Sequence, residues 1–199
     1  LTNTVNLIDG LDGLAAGVAT IASVTICLVA LQQGYALVAV LTAALAGAAI
    51  GFLFYNFNPA KIFMGDTGSM FLGFMLAGIS IIGAVKSAAT IALIVPILAL
   101  GLPIMDTTFA IVRRYRGGVP IFKPDKGHLH HRLLDLGLTQ RQAVLLMYII
   151  SALLGLSAVA LTEVSGGIAL LIFVGVVASV LFGAKKIGIF RMNDSAQPH

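Results

Sequence analysis

The sequence predicts an all-α, polytopic membrane protein with about six transmembrane helices and an active site on the cytoplasmic face of the bilayer. Three observations carry this expectation. Hydrophobic residues make up 59% of the 199 and charged residues only 10%. A soluble domain carries roughly 25% charged residues, so this chain could not cover a water-facing surface. The apolar residues also fall into stretches of bilayer-spanning length. Finally, almost every ionisable residue lies in the segments between alternate stretches, on one side of the membrane.

A bilayer-crossing helix needs about 20 mostly apolar residues. Six stretches qualify: 14–31, 35–55, 69–85, 88–112, 143–162 and 168–183. Gly, Ala and Ser are frequent within them, as close helix packing in lipid favours. Pro96 and Pro103 are expected to kink the fourth, which is longer than a crossing requires. Cys27 sits inside an apolar run and reads as packing or lipid-facing. The polar opening Leu1-Thr2-Asn3-Thr4 has no secretory-signal character.

Alternating crossings put segments 1–13, 56–68, 113–142 and 184–199 on one face and the short turns 32–34, 86–87 and 163–167 on the other. The first face holds eleven Lys and Arg residues; the second holds Lys86 alone. By the positive-inside rule the first face is cytoplasmic. This explains the pI near 9.5 without a nucleic-acid partner. Six of the eight acidic residues and all four histidines share that face, and Asp106 lies near the cytoplasmic end of the fourth stretch. Anchoring alone does not call for Asp, Asn and His beside helix ends.

Three polar clusters stand out. In residues 3–13 (NTVNLIDGLDG), Asn6, Asp9 and Asp12 recur every three positions. Were the segment helical, they would span an arc of roughly 120° and line one wall of a cleft. Gly10, Gly13 and Gly17 would let a helix or ligand approach closely. The alternative is a capped helix end with solvated carboxylates. The segment does not match a calcium-loop pattern.

In residues 56–69 (NFNPAKIFMGDTGS), Asp66 followed by Thr67, Gly68 and Ser69 resembles a helix start. A carboxylate there could hold a metal whose other ligands are phosphate oxygens. Phe63 is either interface packing or a platform for a flat ring.

In residues 123–134 (KPDKGHLHHRLL), Leu129, Leu133 and Leu136 form a stripe at helical spacing, which predicts a short amphipathic surface helix. Gly137 should end it, and Thr139 with Gln142 has capping-box spacing for the next span. His128 and His131 are too few for zinc; phosphate or sugar contacts suit the cationic surroundings better than simple lipid-headgroup binding. Together, acidic residues holding magnesium (manganese is the alternative) and an opposed basic wall suit phosphoryl transfer.

The motifs Asn-x-x-Asn-Leu-Ile-Asp-Gly-Leu-Asp-Gly-Leu, Asn-x-x-Pro-Ala-x-x-Phe-Met-Gly-Asp-Thr-Gly-Ser and His-Leu-His-His-Arg resemble, in order and spacing, the polyprenyl-phosphate N-acetylhexosamine-1-phosphate transferases of glycosyltransferase family 4. The resemblance implies transfer of a sugar 1-phosphate from a UDP-sugar to undecaprenyl phosphate, with release of UMP, at a bacterial plasma membrane. The histidine motif is similar to that of the UDP-N-acetylglucosamine branch. The muramoyl-pentapeptide branch, which usually carries a His-His-His run, is the alternative within the family, and a transporter with a cytoplasmic anion site is the alternative outside it.

The resemblance further implies that Asp66 is the principal metal ligand, with Asn6 or Asp9 near the metal. Asp12 would contact the uracil, Phe63 would stack on it beside Gly65, and Asn56 would position the diphosphate. His128, His130, His131 and Arg132 would engage the sugar phosphate. A homodimer is allowed but not required. The family's Asp-Asp motif and upstream spans have no counterpart among these residues. The chain is therefore expected to be one integral-membrane catalytic domain lacking its amino-terminal part, and inactive alone.

Overall fold

The computed structural model describes residues 1–86, 89–116, 118, 128–164 and 166–186, and among these there is no β-strand. The order is α1 (Thr2–Leu7), α2 (Leu14–Gln32), α3 (Ala36–Asn56), α4 (Gly65–Lys86), α5 (Ala89–Ala99), α6 (Gly101–Arg116), α7 (Leu129–Asp135), α8 (Gln140–Leu161) and α9 (Gly166–Lys186). Lys123, Asp125, Lys126, Arg191, Asp194 and His199 lie outside the described residues.

Among the described residues, four helices are long and apolar enough to cross a membrane: α2, α3, α4 over Gly65–Gly83, and α8. The chain is thus an all-helical membrane protein. Each of these helices begins within four residues of its predicted start. The fourth predicted stretch is not one helix. It breaks at Leu100 into α5 and α6. Pro103 lacks an amide hydrogen and its ring crowds the carbonyl four residues earlier, at Ala99, where α5 ends. α9 occupies the sixth predicted stretch.

The core is built around α2, which touches α3, α4, α5 and α8. Its sequence explains this. Ala15, Ala16, Gly17, Ala19 and Ala22 are small and fully buried, so neighbouring backbones come close and dispersion replaces the hydrophobic drive that lipid removes. Gly17 lies directly under the Tyr148 ring of α8, and Gly155 of α8 lies against Thr25. Large apolar side chains such as Phe54, Phe74 and Leu156 point away from this core.

Two short helices complete the site end. α1 lies on α4, where a side chain at Gly73 would come within 2.7 Å of the Thr2 Cα. α7 packs on α8. Leu129 and Leu133 are buried beneath α7, but Leu136 is 62% exposed. The predicted stripe therefore has two members rather than three: the helix stops at Asp135, and Leu136 turns outward ahead of Gly137, whose φ of +89° only glycine adopts easily. The Thr139–Gln142 capping box forms as expected at the start of α8.

Candidate functional site

The first motif is not one helix. α1 ends at Leu7, residues 8–13 form turns, and α2 starts at Leu14. Asn6 is therefore helical while Asp9 and Asp12 sit on a bend, so the 120° arc expected of one helix does not exist. The glycines are the physical reason: Gly13 takes φ +80° as the cap of α2, a backbone that other residues resist. Gly13 is also a junction. Its N–H donates to Asn56 Oδ1 (3.1 Å) and its carbonyl accepts from the Tyr148 hydroxyl.

Asn56, at the end of α3, is buried and spans two loops. Its Oδ1 takes Gly13, and its Nδ2 donates to the Ile62 carbonyl at 2.9 Å. Asp12 is held from the same side: its Oδ2 accepts from Asn58 Nδ2 (3.0 Å) and from the Ala60 N–H (3.1 Å). Asn58 also donates to Gln140 Oε1 at 2.9 Å, and Arg141 Nε donates to the Asn58 carbonyl at 3.0 Å. The start of α8 is thereby clamped to the second motif.

Asp66 falls in the first turn of α4, where carboxylates suit the helix dipole. It is exposed, as are Gly65 and Thr67. Gly65 has φ +64°, which a substituent would strain. Phe63 is 78% exposed. One turn into α4, the buried Ser69 donates its hydroxyl to Asn6 Oδ1 at 2.6 Å, joining the first two motifs. Asp9 is close enough to Asp66 to feel its charge. Burial, and then the Asp66 carboxylate, push the Asp9 carboxyl above the usual range.

The third motif is more buried than its charge suggests. His128 and His130 are 5% and 2% exposed, with rings stacked nearly parallel at 5.7 Å. His131 tilts against His130 at 4.3 Å and, like Arg132, is half-buried. Burial, reinforced by the adjacent His131, lowers His130 to about 4, so this ring is neutral near pH 7. His130 stands over the first motif: a Cβ on Gly10 would lie 2.6 Å from its Nε2. Asp106 of α6, 2% exposed, accepts from the Leu129 N–H at 2.7 Å and pairs with His128 Nδ1 at 2.8 Å.

The fold therefore gathers the three motifs at one end of the bundle. Asn6 meets Ser69, Asp12 meets Asn58, His130 covers Gly10, and the Asp66 charge reaches Asp9. Sequence reasoning did not single out Tyr148 or Arg141, and it placed Asn58 and Ser69 in the second cluster without their partners Asp12, Gln140 and Asn6. It noticed Asp106 without giving it a role, although a carboxylate in an apolar helix is itself a functional signal. Among the described residues no group of three or more His, Cys, Asp or Glu is arranged to hold a metal. Asp9 and Asp66 offer carboxylate oxygens and Asn6 an amide oxygen, whose Oδ1 already accepts from Ser69. Hard oxygens of this kind suit magnesium, which would offset the Asp66 charge that, after burial, raises the Asp9 carboxyl.

Comparison with known proteins follows the same motifs. The family model "Glycosyl transferase family 4" matches residues 1–84. The chain is 46% identical over 198 residues to a probable undecaprenyl-phosphate N-acetylglucosaminyl 1-phosphate transferase of Bacillus subtilis (strain 168), covering 100% of this chain and 55% of that protein. It is 44% identical over 168 residues to the decaprenyl-phosphate N-acetylglucosaminephosphotransferase of Mycobacterium tuberculosis (strain ATCC 25618 / H37Rv), covering 75% of this chain and 42% of that protein. A phospho-N-acetylmuramoyl-pentapeptide-transferase of Rubrobacter xylanophilus is more distant, at 38% over 152 residues, with 76% and 44% covered. The chain spans about half the length of the curated relatives it matches. The chain belongs to glycosyl transferase family 4.

Proposed function

We propose that the full-length protein carrying this chain transfers N-acetylglucosamine 1-phosphate from UDP-N-acetylglucosamine to undecaprenyl phosphate and releases UMP. The observation that carries the reading is the junction of the first two motifs, where Ser69 in the first turns of α4 donates to Asn6 Oδ1 at 2.6 Å and the Asp66 charge reaches Asp9. The similarity over the whole chain to a protein named for this transfer supports it. We place the site on the cytoplasmic face of a bacterial plasma membrane, with six crossings formed by α2, α3, α4, the α5–α6 pair, α8 and α9.

Asp66, Asp9 and Asn6 would hold magnesium, with manganese as a substitute. The ion would neutralise the diphosphate and polarise its oxygens. Asp12 is fixed through Oδ2 by Asn58 and Ala60, which leaves Oδ1 to accept an N–H from uracil. Phe63, exposed beside Gly65, offers its face to the same base. Asn56 serves the diphosphate indirectly, by fixing Gly13 and Ile62. His128, His131 and Arg132 would line the sugar-phosphate side, and His130, buried and neutral, would hold that wall against Gly10. An oxygen of the lipid phosphate attacks the β-phosphorus, the bond from that phosphorus to the bridging oxygen breaks, and UMP leaves with the bond pair.

The test is UMP release from UDP-N-acetylglucosamine and undecaprenyl phosphate by the full-length protein, with Asp66→Asn alongside. A loss of about a hundredfold or more is expected in the variant, together with inhibition by EDTA that magnesium reverses. A fully active variant would remove the metal reading, and an inactive parent would remove the transferase reading.

A further inference from the structure

We infer that Asp106 is a positioning residue for the sugar-phosphate wall, acting through His128. The inference deepens the transferase reading and rests on it. Asp106 comes from α6, outside all three motifs, yet its carboxylate reaches both the side chain and the backbone of the histidine motif. Oδ2 lies 2.8 Å from His128 Nδ1, and Oδ1 accepts from the Leu129 N–H at 2.7 Å. Both partners are almost fully buried. One carboxylate thus fixes two things: where α7 begins and how the His128 ring is turned.

The chemistry follows from the donor count. A carboxylate only accepts, so the proton on the facing ring nitrogen is held at Nδ1. That leaves Nε2 as the free position, an acceptor in the neutral ring and a donor once protonated. A buried carboxylate that orients an imidazole in this way fixes both tautomer and ring plane. The His130 ring lies parallel to His128 at 5.7 Å, and the His131 ring tilts against His130 beyond it. Asp106→Asn keeps the shape but reverses one partner. Its amide oxygen can still accept from Leu129, which turns the NH2 group towards His128 Nδ1. The proton must then move to Nε2, and the presented position changes character.

Binding of UDP-N-acetylglucosamine and of UMP separates this role from a merely structural one, because UMP lacks the sugar phosphate. In calorimetric titrations of the full-length protein with magnesium present, Asp106→Asn should weaken UDP-N-acetylglucosamine about tenfold and leave UMP within about twofold. In a His128→Ala background, the same substitution should change neither constant further. Equal weakening of both ligands would mean general damage and overturn the inference, as would a tenfold effect that persists without His128. Unchanged UDP-N-acetylglucosamine binding in Asp106→Asn would overturn it too. The transferase reading is scored separately by whether the parent protein releases UMP.

Discussion

Replacing Asn56 with alanine should destabilise the site end rather than merely weaken a ligand contact. Asn56 is 3% exposed and makes two hydrogen bonds to backbone, one from the buried Gly13 N–H and one to the Ile62 carbonyl. Alanine removes both. The Gly13 amide stays buried without a partner, at about 1–3 kcal/mol, while the partly exposed Ile62 carbonyl recovers water and costs less. The sum is about 2–3 kcal/mol, which for a full-length protein about twice as long as this chain lowers Tm by roughly 3–4 °C. The assay is thermal unfolding of the full-length protein in detergent, with UMP affinity measured on the folded fraction. A side chain that only touched the diphosphate would behave in the opposite way. Unchanged Tm with weakened donor binding would refute the structural role argued from these two bonds.

Two other outcomes follow from the electrostatics. Asp9→Asn should raise Tm near pH 7 while abolishing UMP release. Because burial and the Asp66 charge raise the folded carboxyl's pKa, the ionised form is a net cost that grows as pH rises through that value; a stability loss in this variant would contradict that sign. For His130, the pKa falls from the ordinary 6.5 to about 4 on folding. Its contribution to stability is complete above about pH 6.5 and is lost as pH drops towards 4. Tm between those values should therefore depend less steeply on pH in His130→Gln than in the parent, and parallel profiles would remove this assignment.

Much of the fold was legible in the residue pattern because membrane helices announce themselves by length and apolarity. The starts of α2 and α3 follow directly from where polar residues stop, and that of α8 from its Thr139–Gln142 capping box. The break at Leu100 was harder, since Pro96 and Pro103 signal a kink without saying that the helix divides. The site was legible as three clusters but not as a geometry. Spacing of three suggested a helical face for Asn6, Asp9 and Asp12, whereas the chain turns over residues 8–13 and Gly13 caps α2 at φ +80°. Roles played between distant residues left no local trace. Nothing near Asn58 reveals that it reaches Asp12 and Gln140, and nothing near Asp106 reveals His128.

The contact between His130 and Gly10 ties two positions 120 residues apart into a single steric decision. The imidazole fills the space a methyl group would need, so Gly10 cannot take a side chain while His130 keeps its ring. An alanine at Gly10 demands a smaller side chain at His130, and a larger ring at His130 has nowhere to go while α1 and α2 hold the bend in place. The bend that carries the aspartates and the helix that carries the histidines are thus registered by shape, independently of any charge or ligand between them. A protein engineer moving either motif into another scaffold would have to transplant both.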